Sequence, residues 1–291
     1  MLANTALAGA PYECMKVLNK YTDLEVRCIT MKNHYADGRV FPKDLVWSLD
    51  SVEGTKLINE ADIVHIHNEP FHGDPNGIFL ESKKILIQGH SVPVRPLFTA
   101  RLMPCTTHAY TITQPMQEHT YALPSLPNLI DPDEFQPIER SNPKMRIVFA
   151  PTNRWKSHLP GSKAQAEVIN ILKGFESIAE VDIFSNLPYE ENLKRKQQAD
   201  VIIDDVVADT FHRTTLEGCC FGACVLTGAK GPWLKTSLVN LKATLHMLIK
   251  QPQVMKSVQK QCREWVTTVW NPKIQSQKYV EAYQKVMNDA R

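Results

Sequence analysis

The 291-residue chain contains no apolar run approaching the ~20 residues that a membrane-spanning helix needs. Its opening residues, Met1-Leu2-Ala3-Asn4, lack a basic segment followed by an apolar core, so no secretory leader is expected. The expected compartment is the cytoplasm, or the host cytoplasm for a viral chain. None of the seven cysteines forms a Cys-x-x-Cys pair, which excludes an evident zinc ribbon, and their odd count argues against a disulfide framework. Cys219, Cys220 and Cys224 cluster, but adjacent residues on a helix point in different directions and make a poor metal corner; the cysteines read as small buried apolar side chains. A dominant charge is also missing. Lys and Arg number 33 against 31 Asp and Glu, a formal net charge of +2, which excludes a polyelectrolyte-binding composition for the whole molecule. No internal repeat or low-complexity tract appears, and 43% hydrophobic with 22% charged residues excludes intrinsic disorder. Tyr12, Tyr21, Trp233, Trp265 and Trp270 form no stripe alternating with basic residues, so no stacking groove for single-stranded nucleic acid is expected.

At about 150 residues per domain the length suggests two domains. The charge is unevenly shared between them: residues 1–135 hold 11 basic and 16 acidic side chains, and the remainder 22 and 15. An anionic ligand is therefore expected in the second half. Short apolar runs recur at Glu25–Ile29, Asp62–Ile66, Lys84–Gln88, Ala109–Thr113, Met145–Ala150, Val181–Phe184, Asp200–Asp204 and Ala223–Thr227. Several are continuous rather than alternating, as strands covered by helices on both faces should be. Helix-like stretches separate them, such as Tyr12–Tyr21 and Ser162–Gly174, the latter opening on the capping box Ser162-x-x-Gln165. The alternation predicts an α/β architecture of two Rossmann-like units, with ligands bound beyond the carboxyl ends of the strands in a cleft between them. The proline-crowded stretch 124–141 reads as the linker. The expected domains are 1–135 and 136–271, with an amphipathic helix over 272–291 returning to the first.

Three constellations carry chemistry. The first is Asp209-Thr-Phe-His-Arg-Thr-Thr-Leu-Glu217, between two predicted strands. Two carboxylates so placed reach one site from different depths, suited to sugar hydroxyls and to the paired hydroxyls of a ribose. Thr214-x-x-Glu217 is equally a capping box, which explains Glu217 without a ligand. The second is Phe149-Ala-Pro-Thr-Asn-Arg154-Trp-Lys156 followed by Gly161-Ser-Lys163. A strand end, fixed positive charge and a helix N-terminus suit a diphosphate; a solvated basic loop is the plainer reading. The third is His65 and His67 on one strand and Gln88-Gly-His90 on another, with His119 a looser candidate. Residues i and i+2 of a strand share a face, but no third ligand has a metal-site spacing, so polar roles facing the ligand are expected for His67 and His90. Asp131-Pro-Asp133 has the form of a metal-binding pair but lies in the predicted linker.

In this order the constellations resemble the GT-B glycosyltransferases, in particular the retaining, nucleotide-sugar-dependent family with an E-x7-E motif. Ala8-Gly9-Ala10-Pro11 resembles its first-loop glycine motif, Ala61-Asp-Ile-Val-His-Ile-His67 its "ADIVHxH" strand, and Leu126-Pro-Asn-Leu-Ile-Asp131-Pro-Asp-Glu-Phe135-Gln-Pro137 its "PNGIDxxxFxP" segment. Asp209-x7-Glu217 resembles the paired acids, and Ala164 stands where the family has a glycine after the helix lysine. The resemblance implies transfer of a sugar from a nucleotide-diphosphate sugar, with a UDP-sugar the expected donor, to an acceptor hydroxyl of a sugar, small molecule or modified DNA base. Retention, metal independence and the absence of any further cofactor are implied with it. It assigns His90, Asp209, Arg154 and Lys163 to catalysis. Glu217, Arg154, Lys156, Lys163, Asn186, Phe211, His212, Arg213 and Thr214 fall to the donor, and Gly9, Ala10, His67 and His90 to the acceptor side. Other outcomes of the same fold are a phage-type enzyme acting on hydroxymethylated pyrimidines in DNA, a non-catalytic sugar-nucleotide-binding protein, and an epimerase or phosphorylase.

Overall fold

A computed structural model describes residues 1–32, 41–68, 83–90, 108–113, 123–151 and 164–289. They form two compact units. The described residues up to Ile130 together with Pro272–Asn288 make one, and Asp131–Asn271 the other.

The first unit is built on a seven-stranded, wholly parallel sheet. Its strands are β1 (Leu2–Ala3), β2 (Ile29–Thr30), β3 (Leu45–Val46), β4 (Ile63–His67), β5 (Lys84–Gly89), β6 (Ala109–Ile112) and β7 (Ser125–Leu126), in the order β3-β2-β1-β4-β5-β6-β7. Helix α1 (Ala10–Tyr21) follows β1, with Pro11 in its first turn, and α2 (Ser51–Glu60) opens where Asp50 accepts a hydrogen bond from Glu53 N at 3.0 Å. Strand alternation divides the core. Val64, Ile66, Ile85 and Ile87 face Ile58 and Trp47 on the α2 side. Leu86 faces Leu18 of α1 and Tyr279, Tyr283 and Val286 of the final helix on the other side.

The second unit has a five-stranded parallel sheet, and its strands are β8 (Arg146–Phe149), β9 (Glu180–Ile183), β10 (Val201–Ile203), β11 (Cys224–Thr227) and β12 (Leu234–Lys235), in the order β12-β11-β10-β8-β9. Its helices are α3 (Gln165–Lys173), α4 (Tyr189–Gln197), α5 (Arg213–Cys220), α6 (Leu238–Lys250) and α7 (Pro252–Thr268); α8 (Pro272–Asn288) packs on the first unit, where Tyr279 Oη donates to Pro127 O at 2.7 Å. Ile147, Val148, Val201, Ile202, Ile203 and Val225 are fully buried, which explains their unbroken apolar runs.

The boundary between the units, at Ile130 and Asp131, falls inside the proline-rich stretch, which is nonetheless packed: β7 lies within it, and Leu126, Leu129, Ile130 and Phe135 are buried. The described part of helix α3 begins at Ala164, in a left-handed conformation (φ 46°, ψ 50°); Ser162 of the expected capping box lies outside the described residues. The sheets also hold more strands than the eight runs suggested, the additions being two-residue strands at sheet edges and at β1.

Candidate functional site

In each unit the strand order reverses direction at one point, between β1 and β4 in the first and between β8 and β10 in the second. Chain leaving the carboxyl ends of strands at such a point opens a crevice. Gly9, His67, Asp209 and Glu217 lie on or after strands that flank these points.

In the second unit β10 ends in two buried aspartates that sequence reasoning passed over as strand-end residues. Asp204 Oδ2 accepts from His212 N at 2.7 Å and from Thr215 Oγ1 at 2.6 Å, so a carboxylate sits at the start of α5, where it satisfies the N-cap amide and complements the helix dipole. Asp205 Oδ1 accepts from the amides of Val207 and Ala208, both at 2.9 Å. Thr227, at the end of β11, shares its one hydroxyl proton between the carbonyls of Asp205 (2.9 Å) and Thr210 (2.8 Å). The loop that carries Asp209 is thus tied from β10 and β11. Asp209 itself points outward: its side chain is 61% exposed, 3.9 Å from Lys235 Nζ. Phe211 is buried against Trp233, with ring centroids 5.0 Å apart, and against Trp270 at 5.8 Å.

Helix α5 begins at Arg213 with His212 as N-cap, so Thr214 lies inside its first turn and Glu217 in its second. The capping-box alternative for Thr214 and Glu217 is therefore overturned: the N-cap is His212, whose own amide is held by Asp204 from the strand end. Glu217 is 3% exposed, and its Oε2 accepts from Lys196 Nζ at 2.7 Å while Oε1 accepts from Arg213 Nε at 3.0 Å. Arg213 Nη2 donates to Tyr189 Oη at 3.1 Å, and its guanidinium lies 5.9 Å from the centre of the Phe135 ring. Each carboxylate oxygen has capacity for a further donor, so this anchoring leaves Glu217 able to accept from a ligand. Lys196 could not be read from sequence, because it closes the charged run Glu190–Lys196 that a solvated helix face would also produce. Gly218 lets α5 approach the sheet closely: a Cβ there would sit 2.7 Å from Val225 Cγ2. At the other end of α5, Arg263 donates to the carbonyls of Cys220 (2.6 Å), Phe135 and Pro132, and Arg140 to those of Phe221 and Gly222, placing cations at the negative pole of the helix.

Asn186, beyond β9, has φ 60°, a left-handed conformation that asparagine tolerates. Arg154, Lys156 and Lys163 lie outside the described residues, as does His119. Among the described residues no three His, Cys, Asp or Glu side chains are grouped to hold a metal ion. Asp131 instead organises its own turn, accepting from Asp133 N at 3.0 Å.

In the first unit Gly9 (φ 80°) closes a run of left-handed residues with Leu7 and Ala8 and is the N-cap of α1, with Ala10 its first helical residue. Strand alternation puts His65 and His67 of β4 on the face that carries α8. Their rings stack at 4.2 Å, His65 Nδ1 bonds Tyr283 Oη at 2.8 Å, and His67 Nδ1 bonds His90 Nε2 at 2.7 Å. Burial pushes all three imidazoles down, His65 and His67 well below the usual 6.5 and His90 to about 4, so they are neutral at pH 7. Gln88, opposite His67 on β5, donates to Leu126 O (3.1 Å) and to Tyr279 Oη (3.2 Å).

No protein-family model matches the sequence, and no curated protein does. Solved structures do match in fold. Sucrose-phosphate synthase from Thermosynechococcus elongatus superposes with a TM-score of 0.60 at 11% identity, over 98% of each chain. WaaG, a glycosyltransferase involved in lipopolysaccharide biosynthesis, gives 0.51 at 13% identity, over 96% of this chain and 98% of its own. UDP-GlcNAc 2-epimerase from Neisseria meningitidis, bound to UDP-GlcNAc, gives 0.51 at 11% identity, over 98% of each. The chain has the GT-B fold.

Proposed function

We propose that this GT-B chain is a glycosyltransferase that takes a sugar from a nucleotide-diphosphate donor. The observation that carries the reading is Glu217: a motif carboxylate buried at 3% exposure, gripped by Lys196 and Arg213, on a helix whose two ends are set by Asp204 and by Arg140 and Arg263. That is a preorganised acceptor for hydroxyl groups, and an 8-residue helix needs no such apparatus for stability alone. In this reading Glu217 receives the ribose hydroxyls and the more exposed Asp209 those of the sugar. Phe211, His212, Arg213, Thr214 and Asn186 line the donor's surroundings. Arg154 with Lys163 or Lys156 neutralises the diphosphate, an assignment that rests on the resemblance. As the glycosidic bond breaks, charge grows on the leaving diphosphate, and fixed cations there stabilise it without reorganisation. On the acceptor side, with the Gly9–Ala10 turn, His90 orients the reacting group; its low pKa suits hydrogen bonding better than proton abstraction.

The test is release of nucleoside diphosphate from a panel of nucleotide sugars, with thermal shifts for each. Glu217→Gln is expected to keep the fold and lose most of the donor-induced shift. An equal shift in the wild type and this variant would overturn the donor assignment. The UDP-GlcNAc-bound epimerase, as similar in TM-score as WaaG, favours one second reading: epimerisation of a nucleotide sugar. A changed sugar in the absence of any added acceptor would establish it.

A further inference from the structure

We propose that His67 is a positioning residue that locks His90 in one tautomer, so that His90 offers an Nδ1–H donor to the reacting group. The consequence for activity rests on the glycosyl-transfer reading; the tautomer itself does not.

A neutral imidazole has one donor nitrogen and one acceptor nitrogen. The 2.7 Å bond between His67 Nδ1 and His90 Nε2 therefore forces the two rings into complementary tautomers. The direction follows from the rest of His67. Among the described residues its Nε2 is buried without a hydrogen-bond partner, and the residue is 1% exposed. An orphaned buried N–H is rarer in folded proteins than an under-used acceptor, so the proton belongs on Nδ1 and the bare lone pair on Nε2. His67 then donates to His90 Nε2, and His90 carries its own proton on Nδ1.

The geometry around the pair is fixed from several sides. His65 stacks on His67 with planes 20° apart and is held by Tyr283 of α8. The His90 amide donates to Asn68 Oδ1 at 2.6 Å, and Asn68, at φ 65°, donates its own amide to Gln88 O at 2.9 Å. Burial keeps both rings neutral, so one proton is shared between them rather than two opposed.

The experiment is long-range proton–nitrogen NMR on the full chain labelled with 15N-histidine, at pH 7. His90 is expected as the Nδ1–H tautomer in the wild type, and a wild-type His90 protonated on Nε2 would overturn the proposal. In His67→Phe the lock is lost: His90 should populate both tautomers, and kcat/KM for transfer should fall about tenfold. His67→Asn, whose amide nitrogen falls near the Nδ1 position, should restore the tautomer and most of the activity. A His90 that stays Nδ1–H in His67→Phe would also overturn it. A wild type with the expected tautomer but no turnover of any nucleotide sugar would sink the glycosyl-transfer reading and leave the positioning role standing.

Discussion

The two units bury polar groups at their candidate sites in opposite ways. The first uses neutral chemistry, with His65, His67, His90, Gln88, Tyr279 and Tyr283 exchanging hydrogen bonds and ring contacts in one layer between sheet and helix. The second uses ions, with Lys196, Arg213 and Glu217 all more than nine-tenths buried. A neutral network tolerates burial as long as each group stays uncharged, and so it is vulnerable to protons. An ionic one depends on every partner being present.

The largest expected effect that separates the two is acidification. The folded-state pKa values of the three histidines lie below the unfolded value of 6.5, so the unfolded chain binds more protons as pH falls from 6.5 toward 4, and stability is lost over that window. Each histidine contributes about 1.4 kcal/mol per pH unit, or roughly 2 kcal/mol at pH 5. Hydrogen exchange read by mass spectrometry should show β4 and β5 opening at pH 5 while β10 and β11 stay protected. Uniform protection across both sheets would break the comparison.

Next comes Glu217→Leu, which removes the carboxylate shared by two buried cations and should cost about 3–5 kcal/mol in urea denaturation. Adding Lys196→Met to that variant should recover part of the loss, and a double variant no more stable than the single would deny the ionic account. Thr227→Val is a smaller probe of the same unit. It strips the hydroxyl that ties the carbonyls of Asp205 and Thr210, at about 1–3 kcal/mol, and should weaken donor binding by loosening the Asp209 loop. Smallest is Ala164→Gly, which relieves a left-handed alanine at the start of α3 and should raise stability by about 1 kcal/mol in thermal melts.

What could be read from the sequence followed from how much local signal each feature carries. The central strands β8, β10 and β11 are legible because both faces are covered and each carries an unbroken run of at least three apolar residues. The two-residue strands β1, β3, β7 and β12 have no period to detect. Asp209 and Glu217 stand out by spacing, and the sheet order puts the strand before their loop, β10, beside the reversal point. Their partners do not stand out. Lys196 lies 21 residues from Glu217 and looks like its charged neighbours, while Asp204 serves a helix whose first residue is nine positions later. The Thr214-x-x-Glu217 capping box misled because a Thr three residues before Glu is only a local pattern, and the helix begins after His212 instead. The pairing of His67 with His90 was beyond sequence reasoning, because nothing in either strand fixes which rings will touch.

Helix α8 has a further consequence, for synthesis. Tyr279, Tyr283 and Val286 share a core with Cys14, Val17 and Leu18, residues made more than 250 positions earlier. On the ribosome the second unit, continuous from Asp131 to Asn271, is complete before that core can close. The chain that emerges first must therefore wait with its apolar sheet face bare until α8 arrives to cover it. Its biosynthetic vulnerability lies in the half made first, and the half made last is the sooner finished.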